Sequence, residues 1–118
     1  MNPKYVTSLE LSKKLKELGI KQESEFYWIK KKNKWKLVYI GEKRKGLAFA
    51  LIKIAGISAF LSGELGEIIK DVDWALPHYA NGSWWAYGRS TNNPDIEAET
   101  LAEAMGKVFV YLKENKLI

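Results

Sequence analysis

Leu11, Leu15 and Leu18 recur at i, i+4 and i+7 among lysines and glutamates, the spacing that lays one apolar stripe along an α-helix. Thr7-Ser8-Leu9-Glu10 precedes the stripe as a capping box, with the Thr7 hydroxyl and the Glu10 carboxylate as its two acceptors. Val6 and Leu11 then take the staple positions. Gly19 supplies the left-handed residue that ends such a helix, and Ile20 can close on Leu15. A helix over 8–18 follows. The next pattern is different: residues 25–32 and 34–40 are rich in aromatic and β-branched side chains and read as two strands. Their turn lies near Asn33, which tolerates positive φ.

Residues 41–46 form a charged stretch bounded by glycines. Residues 47–60, LAFALIKIAGISAF, fit a buried strand, a buried helix or a membrane segment by periodicity alone. The apolar stretch is only about 15 residues against the roughly 20 of a span, and Lys53 sits at its centre, so membrane insertion is not expected. Residues 62–70 read as a short helix capped by Ser62, with Leu65, Ile68 and Ile69 inward and Glu64 and Glu67 outward. Asn81-Gly82 is a strong two-residue hairpin signal between strands over 74–80 and 83–89. Pro77 cannot donate to a ladder, which makes the incoming strand an edge or a bulged one. Thr100-Leu101-Ala102-Glu103 is a second capping box and starts a helix at Leu101. Its stripe is Leu101, Met105, Val108 and Leu112, widened by Ala104 and Tyr111, with Asn115 at C′. Hairpins in place of βαβ units predict an α+β fold: an antiparallel sheet built from two hairpins, with N-terminal, short central and C-terminal helices packed on it.

At 118 residues the whole chain, 1–118, is the size of a single α+β domain and long enough to bury a core without staples. The chain has no cysteine, which excludes disulfides, thiolate metal sites and a cysteine nucleophile, and suits a reducing cytoplasm. The N-terminus has no apolar run of the signal-peptide kind. The net charge of +5 conceals a division. Residues 1–60 hold 14 Lys and Arg against 5 Glu, a net of +9; residues 61–118 hold 5 against 9 acids, a net of −4. One explanation is a basic face for a polyanion; the other is that the halves complement each other within the fold or across a dimer.

Three blocks, LSKKLKELGIKQESEFYW (11–28), SAFLSGELGEI (58–68) and ETLAEAMGKVFVYLKENKLI (99–118), together resemble a family of small uncharacterised proteins of bacteriophage and prophage genomes. The shared features are an LG-(V/I)-KQES-x-FYW junction, an ELGE helix, and a closing helix opened by Thr and ended by LxENKL. The chain departs from the pattern at Leu61, where the family usually has Thr or a similar cap, and lacks a proline common after the ELGE helix. Segment 41–57 has no counterpart. The resemblance implies a phage or mobile-element setting in a bacterial host and a soluble, cytoplasmic protein. It brings no catalytic or binding residues with it.

The densest chemistry lies in 26–37, FYWIKKKNKWKL, with four aromatic rings and five lysines. Lys30 and Lys32 share one side of a strand and Lys31 takes the other. Lysines on both sides put the tip in solvent above a stem of Trp28, Ile29, Trp35 and Leu37. Lys30, Lys31, Lys32, Lys34 and Lys36 there suit sequence-independent phosphate contact, with Trp35 available to stack on a base. The competing explanation is a solvated tip that blocks edge-to-edge aggregation. A second aromatic group, Trp74, Tyr79, Trp84, Trp85 and Tyr87, surrounds the Asn-Gly turn. Trp84 and Trp85 must face opposite sides of the sheet, so one can be core and the other is exposed or is covered by the same chain, by a ligand or by a second copy. His78, the one histidine, follows Asp71 and Asp73, but no nucleophile elbow accompanies it. Asp71, Asp73 and Glu67 form only a weak divalent-cation pattern. No phosphate-cradling glycine loop is present. No catalytic residue, metal site or cofactor is expected. The chain reads as an accessory protein acting by binding a host or phage protein or a second copy of itself, with non-specific nucleic-acid binding through 30–36 as the alternative.

Overall fold

The computed structural model describes residues 3–40, 52, 55–69, 77–87 and 95–117. The expectations placed on residues 41–51, on Asp71, Asp73 and Trp74, and on the side chain of Tyr87 lie outside the described residues. After a 3-10 turn at Pro3–Tyr5 come α1 (Leu9–Glu17), β1 (Phe26–Lys31), β2 (Lys34–Tyr39), β3 (Ile57–Ala59), α2 (Ser62–Ile69), β4 (His78–Ala80), β5 (Ser83–Tyr87), β6 (Asp95–Ala98) and α3 (Leu101–Glu114). The fold is α+β. The two hairpins do not share one sheet, however. Each lies in its own three-stranded antiparallel sheet, ordered β2-β1-β3 and β4-β5-β6. The third strand of each sheet separates the hairpins: β3 pairs with β1 through Phe26–Ala59, Tyr27–Ser58 and Trp28–Ile57, and β6 pairs with β5 from Trp84–Ala98 to Tyr87–Asp95. β3 takes the end of the ambiguous apolar stretch 47–60 as strand. β6 was not foreseen, although Asp95-Ile96-Glu97-Ala98 alternates exposed and buried positions. No helix of the described residues is long and apolar enough to cross a membrane.

Both turns are two-residue connections with two left-handed residues, Lys32 (φ 49) and Asn33 (φ 64), then Asn81 (φ 53) and Gly82 (φ 82). This geometry matches the right-handed twist of the flanking strands. Strand β4 is an edge and begins just after Pro77, as the missing amide requires.

The helix caps differ from the sequence pattern in an informative way. Ser8, not Thr7, is the N-cap of α1, and its hydroxyl accepts from the Leu11 amide at 3.3 Å. Glu10 has no part in that cap. The Glu103 carboxylate reaches over from α3 instead and accepts from both the backbone amide and the hydroxyl of Ser8. Glu103 is also the third residue of α3, and its own amide donates to the N-cap Thr100 hydroxyl at 3.1 Å. One residue thus takes part in two helix N-termini, with its side chain at α1 and its amide at α3. In α2 Leu61 holds the cap position, since its carbonyl accepts from the Leu65 amide. Ser62 is therefore the first helical residue, and Glu64 supplies the cap by accepting from the Leu61 amide at 2.8 Å and the Glu25 amide at 3.1 Å. Helices α1 and α3 both end in Schellman closures. Gly19 (φ 88) and Ile20 donate to the Lys16 and Leu15 carbonyls, and Lys116 (φ 57), not Asn115, is the left-handed residue after α3.

Thr7, fully buried, joins the first sheet to α1. Its amide donates to the Phe60 carbonyl at 2.9 Å, its hydroxyl accepts from the Phe60 amide at 3.0 Å and lies 2.7 Å from the Ser12 hydroxyl. Its carbonyl accepts from the Trp28 indole at 3.0 Å. With the Val6–Leu61 bridge, the N-terminal segment extends the edge of β3. Two apolar clusters result. Val6, Phe26 and Ala59, with Trp28, Leu37 and Leu61 against them, lie under the first sheet. Leu15, Ile20, Phe60, Leu65, Ile69, Ala86, Ile96, Val108, Phe109 and Leu112 join the three helices to the second sheet. Ile68, expected inward, is exposed. The buried face of α3 is centred on Ala104, Val108, Phe109 and Leu112, while Leu101, Met105 and Tyr111 are half-buried.

Helices α1 and α3 approach closely at Gly106, where an added Cβ would lie 2.5 Å from the Leu11 side chain and 3.2 Å from that of Thr7. At Gly66 it would meet only the Met105 methyl, at 3.7 Å. In urea unfolding, Gly106→Val is expected to lose about 1–3 kcal/mol by overpacking, whereas Gly66→Ala gains about 0.5–1 kcal/mol from helix propensity. The shared cap gives a second contrast. Glu103→Ala should cost about 2 kcal/mol and Glu10→Ala less than about 1 kcal/mol, with equal losses refuting the cross-helix cap.

Candidate functional site

The β1–β2 hairpin changes character along its length. Phe26 and Tyr27, on opposite faces, are both buried, and Lys30 and Lys31, again on opposite faces, are both exposed. At the base, β3 pairs with β1 as far as Trp28, the Trp28 indole donates to the Thr7 carbonyl of the N-terminal segment and the Tyr27 hydroxyl donates to the Gln22 carbonyl. Beyond Trp28 the rungs Ile29–Lys36, Lys30–Trp35 and Lys31–Lys34 continue as two strands among the described residues. Directly opposed residues share a face. Lys30 and Trp35 therefore lie on one side, and Lys31, Lys34, Lys36 and Ile29 on the other.

All five hairpin lysines are exposed. None has an ion-pair partner among the described residues; the ion pairs there are Lys14–Glu114 at 3.6 Å and Lys21–Glu23 at 3.2 Å. Among the described residues, then, no acid of the second half of the chain forms an ion pair with the tip. Trp35, which sequence offered as a base-stacking ring, is half-buried, and the Lys13 ammonium of α1 lies 5.2 Å from its ring centroid. Lys13 is thus a sixth cation beside the hairpin. Sequence could not single it out, because on α1 it is one of several lysines and only the packing sets it over Trp35.

The second hairpin resolves the tryptophan pair. Trp84 shares a face with Ala86, Ile96 and Ala98, all buried, so it is on the core side. Trp85 is on the outer side, half-buried, and its indole donates to the Ala80 carbonyl at 3.1 Å. Tyr79, opposite Trp84, meets it edge-on with centroids 5.5 Å apart and is 61% exposed on the edge strand. Two cavities of about 300 and 340 Å³ share Lys4, Glu99 and Thr100. Trp28 lines one of them and Trp84 the other, each together with residues of the N-terminal segment.

His78 is exposed and stands opposite Trp85. Ser83 donates to the Glu97 carboxylate at 3.2 Å. No group of three or more His, Asp or Glu among the described residues could hold a metal ion. No family model, curated protein or solved structure matches the chain.

The aromatic edge yields one expectation. If Tyr79 and Trp84 form a contact between copies of the chain, sizing in solution will show a dimer that Tyr79→Ser converts to monomer. A wild-type monomer at high concentration removes self-association through this edge.

Proposed function

We propose that the protein acts by binding, as an accessory protein of the phage or prophage type its sequence resembles, and that the β1–β2 hairpin is its contact with a nucleic acid. The observation that carries this reading is the set of five exposed lysines without ion-pair partners among the described residues, gathered on one two-stranded projection. Like charges held this close repel one another, and a polyanion relieves that repulsion while releasing its own counterions. Lys32 supports it further. A lysine in the left-handed region costs about 1–2 kcal/mol relative to a right-handed one, and glycine or asparagine would hold the turn at lower cost. A lysine at this position places a further charge at the tip. Lysine ammonium groups are point charges without the planar fork of arginine, so the contact is to phosphates and independent of base sequence.

The same lysines protect β2, an edge strand, from pairing with another copy. Charge reversal separates the two roles, since glutamate guards an edge as well as lysine does. Lys31→Glu, Lys32→Glu and Lys34→Glu combined should leave the protein soluble and folded and abolish its retention on immobilised nucleic acid at about 50 mM salt. Absence of retention by the unmodified protein under those conditions sinks the reading.

A second reading, association with a host or phage protein or with a second copy through the β4–β5 hairpin, is favoured by the exposed Tyr79 packed against Trp84 on an edge strand. No catalytic role belongs to either reading.

A further inference from the structure

We infer that the nucleic acid this hairpin takes is duplex DNA, entered through the major groove; the inference rests on the nucleic-acid reading above and specifies its substrate. Three features of the hairpin point the same way. The first is size. Beyond Trp28, where pairing with β3 stops, three two-stranded rungs and a two-residue turn remain. At about 3.4 Å per residue the three rungs span roughly 10 Å along the strands, with Lys13 of α1 against the ring of the middle rung. The major groove of B-form DNA is about 8.5 Å deep and about 12 Å wide, and it admits a two-stranded ribbon. The major groove of an RNA duplex is too deep and narrow for one.

The second feature is the distribution of charge over both faces of the ribbon. Lys30, with Lys13 of α1 nearby over Trp35, lies on one face, and Lys31, Lys34 and Lys36 lie on the other. A single strand laid along one face would leave the cations of the opposite face without phosphates. A groove has a phosphate wall on each side, so a ribbon inserted between them engages both sets at once. The third feature is the state of the aromatic ring. Binding of single strands relies on exposed rings on which bases stack. Trp35 is the one ring in the projecting rungs, and it is half-buried with an ammonium over it. The projection therefore offers charge on two sides and no stacking platform.

The test is fluorescence anisotropy of the intact protein with labelled DNA duplex, single-stranded DNA and RNA duplex of one length and composition. The duplex DNA should bind at least about tenfold more tightly than either other form at about 50 mM salt, and the affinity should fall steeply by about 200 mM. Lys30→Ala and Lys31→Ala, one on each face, should each weaken duplex binding and reduce the slope of log affinity against log salt by about 1, with circular dichroism confirming that both variants remain folded. Equal or tighter binding to single strands or to RNA duplex overturns the duplex inference and leaves the nucleic-acid reading standing. The same holds if only one of the two faces proves sensitive. Binding to none of the three overturns both.

Discussion

The structure depends on the Thr7-Ser8 dipeptide and the five long-range hydrogen bonds it makes. Thr7 has its amide, carbonyl and hydroxyl all engaged in a fully buried position, tying the first sheet to the start of α1. Ser8, the next residue, gives its amide and hydroxyl to Glu103 at the start of α3. Buried polar groups are stabilising only when every member has a partner, and here the partners come from β1, β3, α1 and α3. The dipeptide therefore couples the first sheet to the layer of helices that covers the second.

That coupling explains the two-sheet architecture. Each hairpin alone is too small to bury a face, since an isolated two-stranded hairpin is marginal in water. Each gains one further strand and then packs on helices. The larger cluster, from Leu15 to Leu112, sits between the three helices and β5–β6, and the smaller one lies between β1–β3 and the N-terminal segment. A covered base and an uncovered tip on the first hairpin follow from the same arrangement. Among the described residues the third strand stops at Trp28, and the cationic rungs beyond it are paired only with each other. The chemistry available to the protein is thus set by where the packing ends.

Much of this was legible locally. Both hairpin turns, the edge character imposed by Pro77, the start of α3 at Thr100 and the end of α1 at Gly19 each follow from a few adjacent residues whose backbone preferences are strong. The exposure of the lysine tip was legible too, because consecutive lysines on a strand must point to both faces. The third strands were not. Ile57–Ala59 is three residues long inside a uniformly apolar stretch, where periodicity gives no signal, and Asp95–Ala98 is four residues whose alternation is too brief to stand out. The capping box at Thr7 misled for a different reason. Thr7 and Ser8 are chemically equivalent caps, and Thr7 was needed elsewhere, on Phe60 and Ser12.

By itself the sequence determined the turns, the end of α1 at Gly19, the start of α3 at its Thr100 cap, the class of the fold and the concentration of positive charge in one hairpin, all of which arise from interactions among residues a few positions apart. Only the tertiary structure decided that the hairpins occupy separate sheets, that Glu103 caps a helix 95 positions away, and that Lys13 lies over Trp35 so that the ring is no longer free to stack. Those outcomes depend on which distant groups find one another, and a carboxylate or an ammonium carries no local mark of its partner. The physical reason is that a capping or cation–π bond is specified by chemical type alone. Its choice among equivalent donors is made by the packing of Gly106 against Leu11 and Thr7 and of Thr7 against Phe60.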